Sequence, residues 1–241
     1  MATVWIDPAG PARPRVALVT GASRGLGLEL TRRLAADGWS VVVDARDAEE
    51  LATAVAGLGG RVRAVAGDVT YPEHRQRLVE EARDLGDLEL LVNNASTLGP
   101  TPLPALARYP LDGFRRVLET NVVAPLALTQ SCLPALEASH GVVVNVTSDA
   151  AGEGYPGWGG YGAAKAALEQ LSRVLAAEHQ RVRVYWVDPG DMNTRMQQEA
   201  FPGEDVSDRP PPSASVPGIL RLVDARLPSG RYRARDVGVP G

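Results

Sequence analysis

The stretch that decides the fold is RVALVTGASRGLGLELTRRLAADGWSVVVDAR, Arg15 to Arg46. Val16 to Thr20 is a short apolar run rich in β-branched side chains that ends in a glycine turn, so it reads as a buried strand. Past that turn, Leu26, Leu30 and Leu34 recur every fourth residue and fall on one face of a helix. Gly38 stops the helix, and Trp39 to Asp44 carries a second strand. Strand, helix and strand in this order form one parallel crossover unit.

The alternation continues down the chain. A helix is expected from Asp47 to Leu58, a strand from Arg61 to Ala66, a helix from Pro72 to Leu85 and a strand from Leu88 to Asn93. A long helical region, Leu111 to Ala138, precedes a strand from Val142 to Thr147; a helix from Tyr161 to His179 and a strand from Arg183 to Val187 complete the pattern. Strands separated by helices of this length predict a single-domain, doubly wound α/β parallel sheet with helices on both faces. Ligands of such sheets lie beyond the carboxyl ends of the strands, which directs attention to the residues just after each strand. Residues 1–14, with three prolines, read as a poorly ordered extension ahead of a domain spanning 15–241. Gln197 to Pro217, rich in charge, proline and small residues, reads as a substrate-side loop or lid before a short helix from Ile219 to Ala225. The basic run RYRAR, Arg231 to Arg235, suits a terminal strand with solvated arginines.

Composition narrows the function classes. The chain has 241 residues, a net charge of -4 and 44% hydrophobic content, an ordinary globular balance that speaks against nucleic acid as a partner. No apolar run is long enough to span a bilayer, and the N-terminus lacks the pattern of a secretory signal. Cys132 is the single cysteine, which rules out an internal disulfide and fits a reducing, cytoplasmic setting. His74, His140 and His179 lack ligand spacing, so no metal site is expected. Abundant Ala, Gly, Pro and Arg beside a single lysine point to a GC-rich bacterial coding genome.

Chemistry enters at TGASRGLG. Gly21, Gly25 and Gly27 allow a tight turn, a close backbone approach to a pyrophosphate and close packing of helix on strand, with the phosphates at the helix N-terminus. Further motifs follow in order: Asp68 after the third strand, NNAS at Asn93 to Ser96, Asn121 in the long helix, Ser148 after the fifth strand, YGAAK at Tyr161 to Lys165, and PGDMNT from Pro189. Lys165 is the only lysine in the chain; the other 24 of the 25 Lys and Arg residues are arginine.

Together these motifs identify the chain, from Arg15 to its C-terminus, as resembling the short-chain dehydrogenase/reductase family and its Rossmann fold. The resemblance implies a catalytic set of Asn121, Ser148, Tyr161 and Lys165. On a helix, Tyr161 and Lys165 share one face, and a fixed ammonium beside a phenol favours its ionised form, drawing its pKa toward working pH. A tyrosine so placed exchanges a proton with a carbonyl or alcohol oxygen while Ser148 steadies that oxygen. By the same resemblance Lys165 also holds the nicotinamide ribose, and Asn121, in a distorted helix near Pro125, carries a water that links Lys165 to solvent. Thr147 and Tyr155 are rival hydroxyls of poorer spacing.

The resemblance also implies a cofactor site made of Gly21, Ser23, Arg24, Gly25, Leu26, Gly27, Arg46, Asp68, Val69, Asn94, Ala95, Tyr161, Lys165, Pro189, Gly190 and Thr194. Ser96 stands where the family more often has glycine. An acidic side chain at the end of the second strand would bind a ribose 2′-hydroxyl, whereas arginine favours a 2′-phosphate. Ala45 falls at that position with Arg46 after it and Arg24 in the turn, so NADP(H) is expected over NAD(H), unless a one-residue shift of the strand brings Asp44 to the ribose. Tyr155, Trp158, Met192, Met196 and Phe201 are candidates for an apolar substrate wall. The expected activity is reduction of a ketone or aldehyde, or the reverse alcohol oxidation, by a homodimer or homotetramer. A non-redox cofactor-binding protein and an epimerase or dehydratase using the same four residues are the alternatives.

Overall fold

The computed structural model describes residues 13–238. Among these residues seven strands form one sheet: β1 Arg15–Val19, β2 Ser40–Ala45, β3 Val62–Ala66, β4 Asp87–Asn93, β5 Val142–Val146, β6 Arg183–Asp188 and β7 Gly230–Arg233. Their order is β3-β2-β1-β4-β5-β6-β7, and every pairing is parallel. The chain starts in the middle of the sheet, winds outward to β3, then crosses back to β4. That reversal between β1 and β4 opens the crevice where ligands of such sheets bind.

Among the described residues eight α-helices cover the sheet: α1 Gly25–Ala36, α2 Ala48–Val55, α3 Pro72–Leu85, α4 Leu111–Leu118, α5 Ala124–Ser139, α6 Gly159–Glu178, α7 Arg195–Ala200 and α8 Val216–Ala225. The alternating side chains of each strand serve two cores. Ala17, Val19, Val41 and Val43 face Leu26, Leu30 and Leu34 of α1 and Ile219 and Leu222 of α8. Val16, Leu18 and Val42 face Leu78 of α3 and Leu128, Cys132 and Leu136 of α5. Cys132 is thus a small apolar core residue, and burial pushes its thiol up to about 12.

Several sequence expectations need adjustment. The helix expected to Leu58 stops at Val55, because Gly57 and Gly59 adopt left-handed φ values of 83° and 82°. The long helical region is interrupted by a π-helical turn, Glu119–Val123, which carries Asn121. Of the expected N-terminal extension, residues 1–12 lie outside the described residues. Arg13 is anchored by bonds to Asp87 and to the Arg83 carbonyl, and the Pro14 carbonyl accepts from Asp87 N–H. The expected loop at 197–217 begins inside α7. It is tied back by Asn193 N–H to the Pro210 carbonyl and by Val206, which is buried.

Candidate active site

A cleft of about 1600 Å³ runs along the carboxyl ends of the strands, ample for a dinucleotide and a small substrate. Its floor is the turn between β1 and α1. Gly21 has a φ of +67°, and a Cβ there would sit 2.9 Å from the Ala95 backbone. At Gly27 a Cβ would collide with the Gly21 carbonyl, so only glycine lets α1 pack this closely. No side chain caps the N-terminus of α1, which leaves its first-turn amides facing the cleft. This glycine cradle with open amides fits a pyrophosphate. Thr20 and Asn94 brace it: Asn94 Nδ2 donates to the carbonyls of Thr20 and Gly21, while Thr20 Oγ1 accepts from the N–H of Asn94 and Ala95. Sequence reasoning passed over Thr20 because its hydroxyl closes the strand end rather than facing a ligand.

The expected adenosine end lies beside β2 and β3. Asp44, 2% exposed, accepts from Gly21 N–H at 2.7 Å and lies 3.1 Å from His74 Nε2. Its carboxylate is therefore spent inside the protein. Gly67 leaves room for that imidazole, since a Cβ there would strike the His74 ring. Asp44, Ala45 and Arg46 all line the cleft, Asp44 almost wholly buried and Arg46 exposed. Arg24 is ion-paired with Glu50 of α2, whose carboxylate also accepts from Ser23 at 3.2 Å. Asp68 accepts from the amide and hydroxyl of Thr70 and, with Val69, lines the same end.

At the other end α6 presents Tyr161 and Lys165 one turn apart, both buried. Lys165 Nζ donates to the Val146 carbonyl at 2.7 Å and lies 5.4 Å from the centre of the Tyr161 ring. Burial lowers its pKa to about 7. The Tyr161 phenol is raised well above its ordinary value, mainly by burial and then by the charge of Asp188, against lowering contributions from the Ser96 and Ser148 hydroxyls. This is opposite to the direction expected from the lysine alone. The cause is desolvation, which disfavours the charged phenolate, reinforced by the nearby Asp188 and Asp149 carboxylates.

Ser148 follows β5 and donates to Asp149 Oδ1 at 2.9 Å, while Tyr155 OH donates to Asp149 Oδ2 at 3.1 Å. Thr147 is turned the other way, with its hydroxyl on Glu169 of α6 at 2.9 Å. Asn121, 1% exposed, accepts from Thr97 N–H and from the Ser96 hydroxyl, and donates to the Thr97 carbonyl. The π-helical turn brings it under the loop after β4.

The expected substrate wall is brought together only in part. Trp158 packs edge-on against Tyr161, with ring centres 5.7 Å apart, and also meets Phe201; Met196 packs with this group. Met192 lines the cleft and also packs against the core. Tyr155, 44% exposed, sits at the mouth. Pro189 and Gly190 line the same end; Thr194 caps α7 and lies across from Gly25.

Sequence reasoning missed the charges behind this site. Asp188, at the end of β6, is buried and raised in pKa chiefly by desolvation. The RYRAR arginines are not all solvated: Arg231 reaches Glu169 Oε1 at 2.9 Å, the Ser148 carbonyl at 3.2 Å and Asp188 Oδ2 at 3.7 Å. Their carboxylate partners lie 43 to 62 positions earlier in the chain, beyond any local pattern (231 less 188 and 231 less 169). Among the described residues no group of His, Cys, Asp and Glu side chains could hold a metal ion. No helix there is long and apolar enough to cross a membrane.

The family profile described as short chain dehydrogenase matches residues 15–205. The chain is 36% identical over 181 residues to a serine 3-dehydrogenase of Agrobacterium fabrum, covering 73% of this chain and 72% of the relative. It is 35% identical over 232 residues to a 3-oxoacyl-acyl-carrier-protein reductase of rhamnolipid biosynthesis from Pseudomonas aeruginosa, covering 90% and 83%. Among solved structures, the KRED1-Pglu enzyme superposes with a TM-score of 0.83 at 33% identity, covering 90% of this chain and 99% of that one. A Shigella flexneri protein described as a short chain dehydrogenase complexed with NADP superposes with a TM-score of 0.85 at 30% identity, covering 93% and 98%.

Proposed function

The chain belongs to the short-chain dehydrogenase/reductase family, and from that premise we propose that it is an NADP(H)-dependent oxidoreductase that reduces a ketone or aldehyde, or oxidises the corresponding alcohol. The observation that carries the reading is the convergence of Ser148, Tyr161 and Lys165 on one cleft with a glycine cradle at its other end. A nicotinamide dinucleotide in that cleft supplies or accepts the hydride.

The chain's own groups handle the proton. Burial keeps Tyr161 a neutral phenol, the form that gives a proton to a carbonyl oxygen. Ser148 orients that oxygen once its hydroxyl turns from Asp149. Lys165, with a pKa near 7, can return a proton to the phenol at neutral pH and carries donors for ribose hydroxyls. Asn121 holds the Ser96–Thr97 loop that roofs the site. For the 2′ position, the internal use of Asp44 and the exposure of Arg46 support the phosphorylated cofactor. Trp158, Met196 and Phe201 suit a hydrophobic or aromatic carbonyl.

The same reading places the enzyme in the cytoplasm, in keeping with its single buried thiol, and makes it a homodimer or homotetramer. Val123 and Leu126 beside Asn121 and Val174 on α6 are exposed apolar side chains suited to such a contact. Light scattering on the purified chain measures the assembly.

The activity test is titration with NADPH and NADH followed by fluorescence, then addition of a panel of ketones to the cofactor that binds. Tight NADPH binding with carbonyl-dependent oxidation is the expected result. NADPH binding without oxidation by any carbonyl would favour a non-redox role or an epimerase or dehydratase.

A further inference from the structure

The adenosine end of the cleft holds a carboxylate in an unfavourable place for a phosphate. Glu50 Oε2 accepts from the Ser23 hydroxyl at 3.2 Å and forms the ion pair with Arg24, so one oxygen engages two donors of the glycine turn. The backbone beneath it is anchored, because Glu50 N–H donates to Asp47, the N-cap of α2, at 2.9 Å. The Glu50 side chain is 35% exposed and lines the cleft together with Arg24, Arg46 and Asp47. Arg46 has no carboxylate partner among the described residues.

A 2′-phosphate that engages the Ser23 hydroxyl must displace Glu50, because that hydroxyl has a single proton to donate; Arg24 meets the same carboxylate through one nitrogen, so a phosphate on its other N–H donors sits beside a second anion. Like charges held this close oppose binding. A 2′-hydroxyl carries no charge and leaves the Glu50 contacts intact. We infer that Glu50 is a specificity-determining residue: its carboxylate holds the Ser23 hydroxyl, offsets the charge of Arg24, leaves Arg46 as the unpaired cation for a 2′-phosphate, and so narrows the preference for NADPH over NADH. The inference rests on the dinucleotide reading of the cleft.

The test measures dissociation constants of NADPH and NADH, by cofactor fluorescence, for the wild-type chain, Glu50→Gln and Glu50→Ala. Displacement by 2′,5′-ADP and by 5′-AMP isolates the 2′-phosphate from the nicotinamide. Both variants should bind NADPH and 2′,5′-ADP about fivefold more tightly, the scale of a partly exposed ion pair, with NADH and 5′-AMP changed by less than about twofold. Circular dichroism checks that both variants are folded. NADPH affinity that is unchanged or weaker in both variants overturns the inference while leaving the dinucleotide site standing. An equal gain for all four probes also overturns it, since that effect would not involve the 2′ position. A wild-type chain that binds none of the four overturns the dinucleotide reading itself, and the role of Glu50 with it.

Discussion

The two ends of the cleft differ in how their charged groups are held. At the nicotinamide end Tyr161, Lys165, Asn121 and Asp188 are buried, and their behaviour follows first from desolvation and then from the hydrogen bonds and charges packed around them. At the adenosine end Arg24, Arg46 and Glu50 face water, and their behaviour follows from pairing. The difference teaches that substitutions at the buried end should act on chemistry and stability by large factors. Those at the exposed end should act on affinity by small ones.

The sharpest way to break this contrast is Tyr161→Phe. Turnover should fall by about a hundredfold to ten-thousandfold while the NADPH dissociation constant stays within about twofold, measured by steady-state kinetics and fluorescence titration. Retained turnover would remove Tyr161 from the chemistry. Next in size is Asn121→Ala, which strands the amide and carbonyl of Thr97 in a half-buried loop; urea unfolding should register a loss of about 2 kcal/mol.

Lys165→Met sharpens the comparison through pH. The folded pKa of Lys165, about 7, lies below its ordinary 10.5, so the unfolded chain binds the extra proton between those values. The lysine therefore opposes folding fully below about pH 7 and progressively less as pH rises toward 10.5. The stability difference should move in favour of the wild type from pH 7 to pH 10; a flat difference would mean that Lys165 keeps an ordinary pKa. The smallest effect is expected at the exposed end, where Arg46→Ala should weaken NADPH binding about fivefold and leave NADH nearly unchanged. A loss shared by both cofactors would move Arg46 away from the 2′ position.

The order of strands and helices was legible because each element announces itself locally. The leucines of α1 repeat at helical spacing, the valines of β2 and β5 form short β-branched runs, and Gly21 and Gly27 stand where no Cβ fits. YGAAK likewise puts Tyr161 and Lys165 on one helical face wherever that helix packs. The sequence by itself thus determined the element order, the parallel architecture and the placing of Tyr161 and Lys165 on one helical face, all properties of near neighbours in the chain. Only the tertiary structure decided that Asp44 turns inward to Gly21 and His74, that Glu50 neutralises Arg24, and that Arg231 crosses to Glu169 and Asp188. Only it decided that burial and the Asp188 carboxylate raise the Tyr161 phenol. The physical reason is common to all four: pairing and desolvation depend on which groups the fold brings together across long stretches of chain, and local spacing carries no record of that.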